Sequence, residues 1–214
     1  MELPELNIHK LFATPVIISH LPDVQDLNRE LLEHTLTRAA GEPGRQHSNQ
    51  NGWQSPDDFA TLELPAARRL CAIVTQVVNA ATAVNTPNGL IEAAFEWRTN
   101  AWTNVNPPGA SNAMHGHPGA FWSAVYYVDD GGANADEGGS GGELILQDPR
   151  GVLPAMHDPL LRFRVEGCLT AGYVEAVNPK PGMLILFPSW ILHGVEPFSG
   201  TRPRVSVAFN FGSP

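Results

Sequence analysis

Clustered positive charge is what this sequence of 214 residues most plainly lacks. Its 13 Lys and Arg stand against 22 Asp and Glu, giving a formal net charge of −9. Proteins grip phosphate backbones with clustered Lys and Arg, and the longest basic cluster here is Arg68-Arg69. Nucleic acid is therefore not an expected partner. No run approaches the roughly 18 consecutive apolar residues of a membrane-spanning helix, so no membrane partner is expected either. The first residues, MELPELNIHK, are acidic and lack an apolar stretch of the secretory kind. The expected compartment is the cytoplasm. Cysteine is scarce too: Cys71 and Cys168 lie far apart among apolar neighbours and read as free, buried thiols.

Apolar residues, by contrast, make up 43% of the chain, enough for a packed core. The 20 Gly and 19 Pro follow no period, which favours many turns between short strands. One domain over 1–214 is expected, with 1–93 a mostly helical N-terminal elaboration and 94–214 a β core. Residues 8–20 read as extended. Pro22 and Asp23 signal a helix over 23–40, with Val24, Leu27, Leu31 and Leu36 at near-helical spacing. After a polar, turn-rich stretch over 41–57 that holds Trp53, Pro65 suits the first turn of a second helix over 65–83. From residue 94 onward, strands are expected over 95–105, 120–128, 143–147, 171–177, 183–187 and 204–211. The Gly-rich, acidic run 129–142 exceeds what a hairpin needs and reads as a disordered loop or a lid.

The β half also carries the chemistry. His115-Gly116-His117 precedes the strand FWSAVYYV, and residues i and i+2 of a strand point to one face. Two adjacent imidazoles plus the distant His193, in PSWILHGV, are what a barrel needs to close a three-ligand metal site with open positions. The remaining histidines (His9, His20, His34, His47 and His157) have no paired neighbour and read as surface residues. Eleven positions after His193, Arg204 and Ser206 share one face of RVSVAFNF. A forked cation and a hydroxyl aimed into a barrel make a receptor for a carboxylate. Trp102, Phe121, Trp122 and Tyr126 are candidates for its apolar lining.

The pattern His-x-His…His…Arg-x-Ser resembles that of the double-stranded β-helix oxygenases that use iron(II) and 2-oxoglutarate. Asn106-x-x-Gly109-x-x-Asn112-x-x-His115-x-His117 has the spacing of the prolyl-hydroxylase-like branch, and Gly141-Gly142-Glu143-Leu144 is similar to a run that follows there. LFATPV, NGWQS, HGHPGAFWSAVYYV, GGELILQDPR, FPSWILHGV and RVSVAFNF extend the likeness over nearly the whole chain, toward bacterial and phage oxygenases of undefined substrate. The resemblance implies a jelly-roll barrel, Fe(II) on His115, His117 and His193, and 2-oxoglutarate as co-substrate. Its 5-carboxylate would lie on Arg204 and Ser206, with a hydrogen bond from Asn112. The substrate would be a small molecule or a peptide, and helical elaborations on such barrels often build homodimers. One position departs from the pattern: His117 stands where the family usually has a carboxylate, and Glu143 or Asp148 is the alternative source of an oxygen ligand. Neutral imidazole suits iron(II). Two rivals use the same histidines: a cupin-like dioxygenase or isomerase without 2-oxoglutarate, which leaves Arg204 without a purpose, and a non-catalytic sensing module.

Overall fold

The structure is a computed structural model, and it describes residues 7, 9, 11–92, 95–133, 139–151 and 173–213. Fifteen strands occur in it: β1 (Ile17–His20), β2 (Asn49–Gln50), β3 (Trp53–Gln54), β4 (Val84–Thr86), β5 (Gly89–Ile91), β6 (Arg98–Asn106), β7 (Ser111–His115), β8 (Trp122–Asp129), β9 (Ser140–Gly141), β10 (Leu144–Gln147), β11 (Val174–Val177), β12 (Met183–Pro188), β13 (His193–Val195), β14 (Phe198–Ser199) and β15 (Arg204–Gly212). Two α-helices, α1 (Gln25–Gly41) and α2 (Pro65–Ala80), precede most of them.

The strands form a six-stranded major sheet, ordered β1-β12-β8-β15-β6-β3, and a five-stranded minor sheet, ordered β11-β10-β13-β7-β2. Every pairing is antiparallel. β4 with β5 makes a small hairpin, and β9 with the distant β14 makes a second two-stranded sheet.

Strand alternation builds two cores from one sheet. On the outer side of the major sheet, Val205, Val207, Phe209 and Phe211 of β15 meet Leu27 and Leu31 of α1 and Leu70, Val74 and Val78 of α2. The helices thus cover the sheet with the faces their apolar spacing predicts, except that Leu36 falls outside the buried stripe and is exposed. Pro65 takes the first turn of α2 as expected. The start of α1 is less regular: Val24 is its N-cap without a side-chain hydrogen bond, and Asp23 adopts a positive φ of 51°. Asp tolerates this left-handed conformation better than most residues. Between the two sheets, Met183, Ile185 and Phe187 of β12 join Leu144 and Leu146 of β10, Tyr127 and Ile191 in a second core. No helix among the described residues is long and apolar enough to cross a membrane.

Several expectations shift. Residues 41–57, read as polar turns, supply β2 to the minor sheet and β3 to the major one. Residues 111–115, polar but for Met114, Ala113 and their neighbours' small side chains, form β7. Among the described residues of the extended segment 8–20, only those of β1 pair with another strand. His34 is half-buried with its Nε2 sequestered from partners, whereas His9, His20 and His47 are exposed as expected. Cys71 is free and half-buried, and burial pushes its thiol up to about 11. Cys168, His157 and the middle of the 129–142 run lie outside the described residues.

Candidate metal centre

His115 ends β7 and His193 opens β13, and the two are cross-strand partners in the minor sheet. His117 lies two residues beyond β7, not on the strand as the i, i+2 pattern predicts. Its backbone N–H donates to Ser189 O at 3.1 Å, and its carbonyl accepts from Ala120 N at 3.2 Å. The turn is therefore tied to the segment just before His193. The result matches the expected convergence: ring centroids are 4.9 Å apart for His115 and His117, 4.3 Å for His115 and His193, and 5.1 Å for His117 and His193. One nitrogen of each ring falls within 4.8 Å of the other two.

The backbone orients two of these rings. His115 Nδ1 sits 2.8 Å from Ala113 O, and His193 Nδ1 sits 2.9 Å from Ile191 O. A carbonyl can only accept, so each Nδ1 carries the proton and each Nε2 keeps its lone pair for a cation. This is the outer hydrogen bond that metal-ligating histidines ordinarily make. Burial lowers the pKa of His193 to about 3; the hydrogen bond to Ile191 O opposes this, and repulsion from His115 and His117 acts with burial. Burial, then repulsion from His115, lowers His117 to about 4. Both rings are neutral at pH 7, the form that binds metal. Among the described residues no carboxylate joins this cluster. Asp148 pairs with Arg150 at 2.7 Å.

The cavity beside the histidines extends between the sheets to Arg204. Arg204 is 2% exposed. Its Nη1 donates to Gly142 O at 2.5 Å, and its guanidinium lies 5.5 Å from the Phe198 ring. Its Nε is buried with no hydrogen-bond partner among the described residues. Burial pulls the arginine below its ordinary value, while Tyr127 and Glu143 act in the opposite sense. A buried guanidinium with an idle donor is costly unless an anion completes it. Ser206 is buried on the same strand face, as the alternation in RVSVAFNF predicts. Asn112 also lines the cavity, its Nδ2 donating to Ser48 Oγ at 3.2 Å. That hydroxyl is itself 3.4 Å from His115 Nε2.

Of the four aromatic candidates only Trp102 lines this cavity, with its ring 5.8 Å from His117. Trp122 and Tyr126 point the other way, toward the helices: Trp122 Nε1 donates to Thr82 Oγ1 and Tyr126 OH to Asn28 Oδ1. Phe121 is exposed and stacks on Trp97. Tyr127, one residue along, is the inward tyrosine. β8 is buried on both faces, so hydrophobicity alone could not set its phase. Its cross-strand register with β15 (Ser206 opposite Tyr127) does. Ser48 and Gln54 also reach the cavity from the segment read as turns.

Residues 100–210 match the family described as "Putative 2OG-Fe(II) oxygenase". A comparison with curated proteins gives no match. Among solved structures, the chain is similar to a prolyl-4-hydroxylase of Pseudomonas putida, with 21% identity, 95% of each chain covered and a TM-score of 0.63. A prolyl hydroxylase from Trichoplax adhaerens, in complex with a hypoxia inducible factor peptide fragment, has 14% identity over 95% of this chain and 86% of that one, with a TM-score of 0.63. HygX from Streptomyces hygroscopicus, with nickel and 2-oxoglutarate bound, has 15% identity over 98% of this chain and 88% of that one, with a TM-score of 0.59. At these identities the structural likeness bears on fold.

Proposed function

Because the chain belongs to the family of 2-oxoglutarate/Fe(II) oxygenases, built on a double-stranded β-helix, we propose that His115, His117 and His193 hold its iron and that Arg204, Ser206 and Asn112 hold its 2-oxoglutarate. The observation that carries this reading is the idle, buried Nε of Arg204 in the same cavity as three convergent imidazoles. Neither half needs an extra residue to make sense of the other.

Charge supports the pairing. Three neutral imidazoles leave a divalent cation at +2, and a 2-oxoglutarate dianion neutralises it. The guanidinium then faces the far carboxylate, to which a planar fork is matched. Ser206 adds a hydroxyl donor from the same strand face. Asn112, fixed by Ser48, presents its amide to the cavity from the opposite sheet. Trp102 beside His117 and Phe187, with its ring 4.8 Å from His193, shield the imidazoles from water. With iron(II) and 2-oxoglutarate bound, the family's chemistry consumes O2, releases succinate and CO2, and places the second oxygen atom in a C–H bond of a substrate. In this reading residues 1–93 brace the 94–214 barrel with two helices and add β1, β2 and β3 to its sheets, and the substrate is a small molecule or a peptide.

The test is direct. Iron(II)-loaded protein given 2-oxoglutarate and O2 should form succinate, and a metal-bound crystal should show all three imidazole nitrogens about 2.0–2.3 Å from the ion, close to known imidazole–metal lengths. Wild-type protein that neither binds 2-oxoglutarate nor forms succinate would remove the co-substrate assignment. A metal-bound structure with His117 turned away would remove the three-histidine centre.

A further inference from the structure

The paired strands β6 and β15 form a polar floor that continues past the histidines. Reading across the register, Arg204 faces Asn106, Ser206 faces Asn104, Ala208 faces Trp102, Asn210 faces Asn100 and Gly212 faces Arg98. At about 3.3 Å per residue, Asn210 lies roughly 13 Å from Ser206. The Arg204 end belongs to the cavity described above. The opposite end opens into a separate pocket lined by Arg98, Asn100, Asn210 and the turn Gly116–Ala120. His117 belongs to the walls of both. Whatever occupies this second pocket therefore lies against one of the three imidazoles, on the side away from Arg204.

The pocket is made of donors. Arg98 makes no ion pair among the described residues, and its Nη2 donates to Gly119 O at 3.2 Å, leaving the remainder of the fork uncommitted. Asn210 Oδ1 accepts from Ser123 Oγ at 2.7 Å, which turns the amide so that its NH2 faces outward from that bond. Among the described residues no Asp or Glu lines the pocket. Gly212 keeps the floor clear under the arginine: a Cβ there would stand 3.1 Å from Arg98 Nη2 and 2.9 Å from Gly119 O. A lone guanidinium fork matches a planar carboxylate, and the chain's net charge of −9 disfavours a more highly charged phosphate.

Resting on the function proposed above, we infer that this pocket is the prime-substrate subsite and that the substrate is a polar molecule bearing a carboxylate, held by Arg98 and Asn210. The carboxylate anchors one end of the molecule at the Arg98 rim. The rest then extends along the floor toward His117, where a C–H bond comes within reach of the metal.

The test uses full-length protein loaded with Mn(II) and saturated with 2-oxoglutarate, whose binding is measured first. Propionate, propanamide and ethyl phosphate serve as probes, and the paramagnetic relaxation of their protons reports approach to the metal. Propionate should be relaxed strongly and propanamide weakly. Arg98→Ala and Asn210→Ala should each weaken the propionate effect about tenfold, the scale of one lost charge-assisted contact. Arg98→Lys should restore part of it. Retained 2-oxoglutarate binding certifies that each variant is folded. If 2-oxoglutarate binds but propionate and propanamide behave alike, or Arg98→Ala changes nothing, the subsite is wrong while the oxygenase reading stands. Preference for ethyl phosphate overturns the carboxylate class. Failure of wild-type protein to bind 2-oxoglutarate overturns both readings.

Discussion

The two faces of β15 differ sharply. Val205, Val207, Phe209 and Phe211 face the helices and are at most 1% exposed. Arg204, Ser206, Ala208 and Asn210 face the cavities. The outer set makes close-packed apolar contacts that stabilise the fold whatever the site binds. The inner set includes a desolvated cation with an idle donor, an arrangement that stability alone would not favour. One strand thus separates folding from binding by the parity of its residue numbers.

The largest effect should come from breaking the outer face. Phe211 stacks on Phe209 and meets Trp97 edge-on. Phe211→Ala should cost about 3–5 kcal/mol of unfolding free energy, read by urea denaturation. Whatever folded fraction remains should bind 2-oxoglutarate with near wild-type affinity. Arg204→Ala should do the converse. Loss of a desolvated charge-assisted pair worth roughly 2–5 kcal/mol means about a 30- to several-thousand-fold weaker 2-oxoglutarate affinity, measured calorimetrically at matched metal loading. Arg204→Lys should recover only part, and Arg204→Met should leave the melting temperature of ligand-free protein unchanged or raised.

Acidity sharpens the comparison next. His117 and His193 have folded pKa values depressed to about 4 and 3, below the ordinary value near 6.5. The unfolded chain therefore binds protons first as pH falls. Stability is fully present above about pH 6.5 and drains away down through those folded values. Between pH 6.5 and 5 each ring should cost metal-free protein at most about 2 kcal/mol. Thermal melts over that range should show the decline, and His193→Gln should flatten it. Ser206→Ala is the smallest step, with about 1 kcal/mol, or roughly a fivefold weaker 2-oxoglutarate affinity, and no change in metal binding.

Parity is also what made much of the site legible in the sequence. The alternation in RVSVAFNF puts Arg204 and Ser206 on one face without any tertiary information, whereas His115 and His117 come together through the turn after β7 and not through strand alternation. The phase of β8 was not legible, because WSAVYYV is apolar on both faces, and Tyr126 was chosen where Tyr127 turns inward. β2, β3 and β7 escaped notice for a different reason. Asn49 and Gln50 on the edge strand β2, and Ser111 and Asn112 on β7 beside it, are polar residues whose strand state comes from their partners across the sheet. Ser48 and Gln54 were missed with them. Arg98 is not legible as a candidate in the sequence, because only the register that sets it opposite Gly212 brings it to the wall of the second pocket.

The short segment that carries β2 and β3 has a kinetic consequence. Asn49 pairs with Asn112 in one sheet, and only a few residues later Trp53 pairs with Val105 in the other. Between them Asn51 adopts a left-handed φ of 58°, and the Asn49 side chain binds the backbone at Arg45, His47 and Gly52. The segment is a clasp across the open edges of both sheets. Closing it brings together residues some fifty to sixty positions apart, an ordering cost that local contacts do not offset until both sheets exist. The clasp is held by two short strand pairs, whereas β15 is buried in the outer core. The clasp should therefore open before that core does, and hydrogen exchange should release the amides of 49–54 before those of β15.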